Sequence, residues 1–214
     1  MNYLVTYPRS GTNWTLNRIK ALLEVDQNLK KLAKNCYVRH SHLGFRPGGA
    51  LNGEKPSITI DAKARMFIQL RDARKVLVSN WYFIKSSEQI YKKRSNEWPD
   101  MFSNIESHLR SSYAVDRFCQ FLKRVKEFKN VAQARNFYYY EDIHSHQFIY
   151  EIPKILGVDY EVTNEIAAKA HERGNYPDVQ FGTDHSALSK ETAEYIQSQL
   201  RERCVLEEYS ERYL

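Results

Sequence analysis

The opening of the chain, MNYLVTYPRSGTNW, constrains the fold more than any other segment. An apolar run at residues 3–5 predicts a buried strand, Pro8 and Gly11 break that strand, and a helical apolar repeat begins at Leu16. The segment therefore predicts a strand, a tight turn and the start of a helix. Such a turn directs backbone N–H groups and the positive end of a helix dipole toward one point, which suits a phosphate or a sulfate.

The side chains of this turn are compatible with the same role. Arg9 adds a full positive charge, and Ser10 and Thr12 add hydroxyl donors. The alternative is an ordinary strand-to-helix turn in which the serine and the threonine only cap the helix. The turn alone leaves both interpretations open.

The rest of the chain predicts an α/β fold. Strands are predicted at 64–70 and 135–143, and helices at 75–84, 105–129, 148–156, 164–171 and 189–206. Strands separated by helices indicate a central parallel sheet flanked by helices on both faces, in a single domain over residues 1–214. Ligands of such sheets bind at the carboxyl ends of the strands, where the first turn and the RDAR sequence at 71–74 both fall.

Two segments are less regular. Residues 85–105 are largely polar and are predicted as an exposed connection or lid. Residues 36–60 receive no clear assignment. His40 and His42 would share a face if that part of the segment were a strand.

Composition narrows the class of protein. The 214 residues carry a formal net charge of +6 that is spread along the chain, which suits an acidic ligand. No apolar stretch approaches the ~20 residues of a membrane span, so no membrane association is expected. Cys36, Cys119 and Cys204 show neither zinc-site nor disulfide spacing, which favours a reducing, cytoplasmic location.

Three motifs follow the predicted strands: TYPRSGTNW at 6–14, RDARKVLVSNWYF at 71–83 and YEDI at 140–143. In this order they resemble the T-Y-P-K-S-G-T-x-W, R-x-P-x-D-x-x-x-S and Y-E-D-L motifs of the sulfotransferases that use 3′-phosphoadenosine 5′-phosphosulfate (PAPS). The resemblance implies a P-loop-nucleotide-binding-like fold. It also implies in-line transfer of a sulfuryl group from PAPS to an acceptor hydroxyl, without a metal.

The chain departs from the family motifs at several positions. Arg9 replaces the loop lysine, which keeps the charge but offers a forked donor. Ala73 and Lys75 replace the proline and the acidic residue of the second motif. The family's K-T-H-L reads HSHL here, with His42 at the histidine position. The C-terminal R-K-G is reduced to 173–174, and the G-D-W that follows it in the family is missing.

The resemblance implies a role for each matched residue. The 5′-phosphosulfate would be bound by Arg9, Ser10, Gly11, Thr12 and Asn13, and the 3′-phosphate by Arg71, Ser79, Arg173 and Gly174. Trp14 would stack on the adenine, and Tyr140 would line the same pocket. Arg9 would also stabilise charge on the leaving phosphate. His42 would be the general base, with His40 and Glu54 as reserve candidates.

Other functions stay open at this point. A P-loop kinase or nucleotide hydrolase would share the sheet and the anion-binding turn, although the first glycine and the lysine of its motif are absent. A protein that binds PAPS without turnover is a second alternative. A nucleic-acid-binding protein is a third, but no known reader motif supports it, and no nucleic-acid partner is predicted. The acceptor is predicted to be a small molecule or a carbohydrate, and no oligomeric state is predicted.

Overall fold

The computed structural model of the protein describes residues 2–36, 38–41, 65–86, 104–131, 134–174 and 188–214. Within these residues four strands form one parallel sheet in the order β2-β1-β3-β4. The strands are β1 (Asn2–Thr6), β2 (Val38–Ser41), β3 (Arg65–Leu70) and β4 (Ala134–Tyr139). This confirms the predicted α/β class with a parallel sheet.

Nine α-helices lie in the described part of the chain. They are α1 (Thr12–Val25), α2 (Gln27–Leu32), α3 (Ala73–Ser86), α4 (Ile105–Arg110), α5 (Ser112–Lys129), α6 (Phe148–Leu156), α7 (Asn164–Gly174), α8 (Lys190–Arg203) and α9 (Glu207–Tyr213). Short 3₁₀ turns lie at Ala33–Asn35 and Asp142–His144. None of these helices is long and apolar enough to cross a membrane.

Helices cover both faces of the sheet. Successive residues of each strand point to opposite faces, so each strand contributes side chains to both cores. Val5 and Ile68 face a core built with α3, α5, α8 and α9. Leu4 and Phe67 face a second core built with α1, α6 and α7. All four of these side chains are at most 1% exposed. Burial on both faces explains why the strands read as nearly continuous apolar runs.

Several predicted elements differ from the observed ones. The helix predicted at 105–129 is two helices, because Ser111 is extended and interrupts the hydrogen-bond ladder. The strand predicted at 135–143 ends at Tyr139, and the helix predicted at 189–206 ends at Arg203. Strand β2 and helix α9 were not assigned from the sequence. The predicted connection at 85–105 falls largely outside the described residues.

The predicted C-terminus of one helix and the predicted N-cap of another agree with the structure. Helix α6 has the predicted bounds and is followed by Gly157, whose φ of 76° is the left-handed conformation common after a helix. The Ser189 hydroxyl accepts a hydrogen bond from the Thr192 backbone N–H at 3.2 Å, as expected of an N-cap.

The strand order places a crevice between β1 and β3. The chain leaves β1 through α1 to reach β2 on one side, and then crosses to β3 on the other side. At such a switch point the connections diverge and leave a crevice at the carboxyl ends of the strands. The turn after Thr6 and the residues after Leu70 both lie at this edge.

Candidate anion-binding site

The turn after β1 has an unusual backbone. Arg9 and Gly11 both have positive φ angles, of 70° and 91°. The Ser10 N–H donates to the Tyr7 carbonyl at 3.1 Å, which closes the turn. A side chain at position 11 would place its Cβ 2.5 Å from Cε2 of Tyr140, so only glycine fits this close approach. We call residues 7–14 the anion loop.

The anion loop continues into the first turn of α1. The Thr15 N–H donates to the Gly11 carbonyl at 3.2 Å, and Gly11 is the N-cap, so no side chain caps the helix from that position. The N–H groups that precede Thr15 belong to the first turn, whose donors have no intrahelical acceptor. The Thr12 hydroxyl lies 2.7 Å from the Thr6 hydroxyl. The loop therefore presents backbone donors and a helix dipole at the crevice.

Arg71 reaches the anion loop from the end of β3. Its guanidinium donates from Nη1 to the Arg9 carbonyl at 2.8 Å and lies over the Tyr140 ring, with Cζ 3.9 Å from the ring centroid. Arg71 is only 7% exposed, and its Nε has no hydrogen-bond acceptor among the described residues. Burial lowers the pKa of Arg71, although the neighbouring Tyr140 and Glu141 oppose that effect.

Arg9 extends its side chain toward α3. Its Nε donates to the Ser79 hydroxyl at 3.3 Å, and its Cζ lies 5.2 Å from the centroid of the Phe83 ring. Burial lowers the pKa of Arg9, and the charge of Arg71 lowers it further. Two partly desolvated guanidinium groups at one crevice repel each other, and a bound anion would relieve that repulsion.

The aromatic residues of the predicted site also meet here. His144 lies between Trp14 and Tyr140, with ring centroids 4.7 Å from each. Both contacts are edge-on, with interplanar angles of 64° and 73°. Trp14 and Tyr140 are half-buried, so each offers part of its ring surface beside the loop.

His40, in β2, contacts the last residue of β1, just before the anion loop. Its Nε2 is 3.1 Å from the Thr6 hydroxyl, the group that contacts Thr12. This contact ties the end of β2 to the anion loop. His42 and Glu54, the other two candidates for the general base, lie outside the described residues.

Comparison with known proteins decides the family. The model of the sulfotransferase domain matches residues 3–173, which is most of the chain and includes every element from β1 to α7. The protein belongs to the sulfotransferase family. This confirms the resemblance of the three sequence motifs to those of the sulfotransferases, and it argues against the nucleotide-kinase alternative.

A solved structure supports the fold of this sulfotransferase. Mouse sulfotransferase SULT7A1, crystallised in complex with PAP (the desulfated 3′-phosphoadenosine 5′-phosphate), aligns with a TM-score of 0.61 and 14% identity. The alignment covers 98% of this chain and 85% of the mouse chain. No curated protein matches the sequence. Family membership implies an acceptor that carries a hydroxyl group.

The departures from the family's second motif have local explanations. Ala73 donates its backbone N–H to the Tyr209 hydroxyl at 2.8 Å, a bond that the family's proline could not make. Lys75 lies 3.5 Å from the Glu141 carboxylate. Both substitutions therefore connect the start of α3 to neighbouring segments of this sulfotransferase.

The structure does not bring Arg173 and Gly174 to the anion loop. Arg173 pairs with the Glu24 carboxylate at 2.6 Å, near the far end of α1. Glu24 lies twelve residues after Thr12, which is about 18 Å along the helix. Gly174 packs against Arg18, where an added Cβ would lie 2.9 Å from Cδ.

Sequence reasoning missed one buried side chain at this site. Gln69, the penultimate residue of β3, is 1% exposed and donates from Nε2 to the Ser10 carbonyl. Its signal in the sequence was a single amide within the apolar strand RMFIQL, two residues before Arg71. Among the described residues no cluster of three or more His, Cys, Asp or Glu could hold a metal ion.

Proposed function

We propose that this sulfotransferase takes its sulfuryl group from PAPS and transfers it to the hydroxyl of a small molecule or a carbohydrate. The observation that carries the proposal is Arg71: a residue only 7% exposed at the crevice, with its guanidinium anchored to the anion loop through one nitrogen and without an acceptor at another among the described residues. The proposal agrees with the ligand of the mouse structure, which is PAP.

The residues present fit a 3′-phosphate next to Arg71. The Nε of Arg71 lacks an acceptor among the described residues, and a buried donor without one costs free energy. Ser79 is 3% exposed and accepts from Arg9, so its own hydroxyl proton is available for a phosphate oxygen. We infer that these two side chains bind the 3′-phosphate, the group that distinguishes PAPS from ATP.

The anion loop fits the 5′ end of the donor. Ser10, Gly11, Thr12 and Asn13 contribute the turn and the first N–H groups of α1, and Arg9 contributes a full charge. When bound, PAPS supplies a sulfuryl group whose departure leaves negative charge on the 5′-phosphate. We infer that Arg9 stabilises that charge, since a fixed cation at a desolvated site is most effective where charge develops.

Trp14 and Tyr140 are proposed to hold the adenine. Their half-buried rings lie on either side of His144, and Trp14 belongs to the first turn of α1. Arg173 and Gly174 stay sequence-based predictions for the 3′-phosphate. The ion pair between Arg173 and Glu24 gives them no support.

His42 is proposed as the general base for the acceptor hydroxyl. Strand β2 ends at Ser41, at the sheet edge that carries the anion loop, and His42 is the next residue in the sequence. His40 is already engaged with Thr6, which favours His42 over His40. A neutral imidazole is required to accept the proton of the acceptor hydroxyl.

A cytoplasmic location remains part of the proposal. Cys36, Cys119 and Cys204 are all free thiols, which is compatible with a reducing compartment. The single domain over residues 1–214 and the lid at 85–105 likewise remain proposals.

Calorimetry tests the proposed donor. The protein is titrated with PAP, with 5′-AMP and with ATP plus Mg²⁺. PAP should bind tighter than 5′-AMP by about tenfold or more, since charge-assisted hydrogen bonds to a phosphate exceed about 1.4 kcal/mol. Incubation with PAPS and a panel of hydroxyl acceptors should then release PAP. Preference for ATP with Mg²⁺ would refute the proposal, and PAP binding without release on any acceptor would favour a binding protein.

A further inference from the structure

Gln69 connects three elements at the base of the anion loop. Its Nε2 donates to the Ser10 carbonyl, and its Oε1 accepts from the Thr15 hydroxyl. Gln69, Ser10 and Thr15 are each 1% exposed. A single buried amide therefore ties the end of β3 to the loop and to the first turn of α1.

Gln69 and Arg71 act on consecutive peptide groups. Arg71 donates to the Arg9 carbonyl, and Gln69 donates to the Ser10 carbonyl. A trans peptide directs its C=O and its N–H in opposite directions. The contact at the Ser10 carbonyl therefore directs the Gly11 N–H away from Gln69.

The loop conformation requires such support. Arg9 has a φ of 70°, which a residue with a side chain adopts only when its surroundings impose it. Gly11, with a φ of 91°, would accept other conformations as readily. The loop closes with the bond between the Ser10 N–H and the Tyr7 carbonyl, and the hydrogen bonds to the Arg9 and Ser10 carbonyls further stabilise the observed shape.

We propose that Gln69 is a positioning residue of this sulfotransferase: it fixes the Ser10–Gly11 peptide so that the Gly11 N–H faces the 5′-phosphate of the donor. The inference rests on the proposed function. Without Gln69 the Ser10 carbonyl loses its partner, the peptide is free to rotate, and the 5′ site loses one aligned donor. The 3′ site, built from Arg71 and Ser79, stays intact.

The test uses two nucleotides that differ at the 5′ position. PAP carries phosphates at 3′ and 5′, whereas adenosine 3′-monophosphate carries only the 3′-phosphate. Gln69→Leu removes both amide hydrogen bonds, and Gln69→Met, which is unbranched and uncharged, is the second variant should the leucine fail to fold. Thr15→Val is the matched control, because it leaves the bond between Gln69 and Ser10 in place. Dissociation constants for both ligands and the unfolding midpoint are measured for every protein.

Gln69→Leu should weaken PAP binding about tenfold, the effect of one charge-assisted hydrogen bond, and change adenosine 3′-monophosphate binding less than twofold. Thr15→Val should change both constants less than about threefold. Equal losses for the two ligands would show a merely structural role, and unchanged PAP binding would overturn the inference. A wild-type protein that binds no PAP would instead refute the proposed function.

Discussion

Replacing Gly11 with alanine probes the closest approach in the site. The substitution forces a side chain into a φ of 91°, which costs about 1–2 kcal/mol for an L-residue. The new Cβ would also lie 2.5 Å from Cε2 of Tyr140, and such overpacking costs a further 1–3 kcal/mol, roughly. We therefore expect Gly11→Ala to lower the free energy of unfolding by about 2–5 kcal/mol.

The same substitution should also weaken the binding of PAP at the crevice. The Tyr140 ring that must move supports the Arg71 guanidinium, whose Cζ lies 3.9 Å from its centroid. Displacement of the ring would shift Arg71 away from both the loop and the 3′-phosphate. PAP affinity should therefore fall more than about 100-fold, the loss of two or more charge-assisted contacts.

Gly157→Ala is the matched control. Gly157 has a φ of 76°, and an added Cβ would lie 2.7 Å from the Asn2 side-chain nitrogen and 3.6 Å from the Arg65 guanidinium, at the opposite end of β1 and β3 from the anion loop. This variant should lose about 1–2 kcal/mol of stability and keep its PAP affinity. Urea unfolding and calorimetry measure both quantities. Wild-type stability and affinity in Gly11→Ala would refute the proposed geometry of the turn.

Three further predictions concern other residues. Ala73→Pro should lower the free energy of unfolding by about 1–3 kcal/mol, because it removes the bond to the buried Tyr209 hydroxyl while proline is otherwise tolerated at the first helical position. Tyr209→Phe should add little in the Ala73→Pro background, and full additivity in urea unfolding would show that the two groups do not interact. Burial lowers the pKa of His108 from 6.5 to about 4, so the unfolded state binds more protons between these values and stability falls as the pH decreases. The loss should reach about 3 kcal/mol between pH 7 and pH 4, and a His108→Leu variant with an equally steep urea-unfolding profile would contradict the assignment. His42→Ala should lower kcat about 100-fold or more with unchanged PAP affinity, and retained turnover would move the role of general base to another residue.

The sequence predicted the elements whose signals are local. The anion loop is a contiguous motif with turn residues and a helix repeat, and it appears where the pattern placed it. Helix α6 ends at Leu156 because the next residue, Gly157, adopts the left-handed conformation that suits glycine. The parallel sheet followed from the alternation of strands and helices.

Other features depend on contacts between distant parts of the chain. Strand β2 is short, and its VRHS sequence carries no apolar alternation, so only its pairing with β1 identifies it. Helix α9 is seven residues long and is held by the buried Tyr209 ring and its bond to Ala73. A helix this short is rarely stable by itself, and its sequence therefore gives little signal.

In the site, too, residues within motifs could be predicted from the sequence, and residues that depend on distant partners could not. Arg9, Arg71, Ser79, Trp14 and Tyr140 were found from motifs and are brought together at one crevice. Arg173 matched a motif fragment, but its partner Glu24 is 149 residues away in the sequence. Gln69 was missed because a single amide in a strand does not indicate a role by itself. Its partners, Ser10 and Thr15, are far away in the sequence and are identified only by the fold.

The central claim is that Arg71 selects the 3′-phosphate of the donor. The most direct measurement is the ratio of dissociation constants for 5′-AMP and PAP in the wild type, in Arg71→Ala and in Arg74→Ala. Arg74 is the control, because it is an arginine of the same segment whose guanidinium is paired with the Asp72 carboxylate at 2.6 Å. The ratio should be about ten or more in the wild type and in Arg74→Ala, and near one in Arg71→Ala. A ratio that survives in Arg71→Ala would contradict the account.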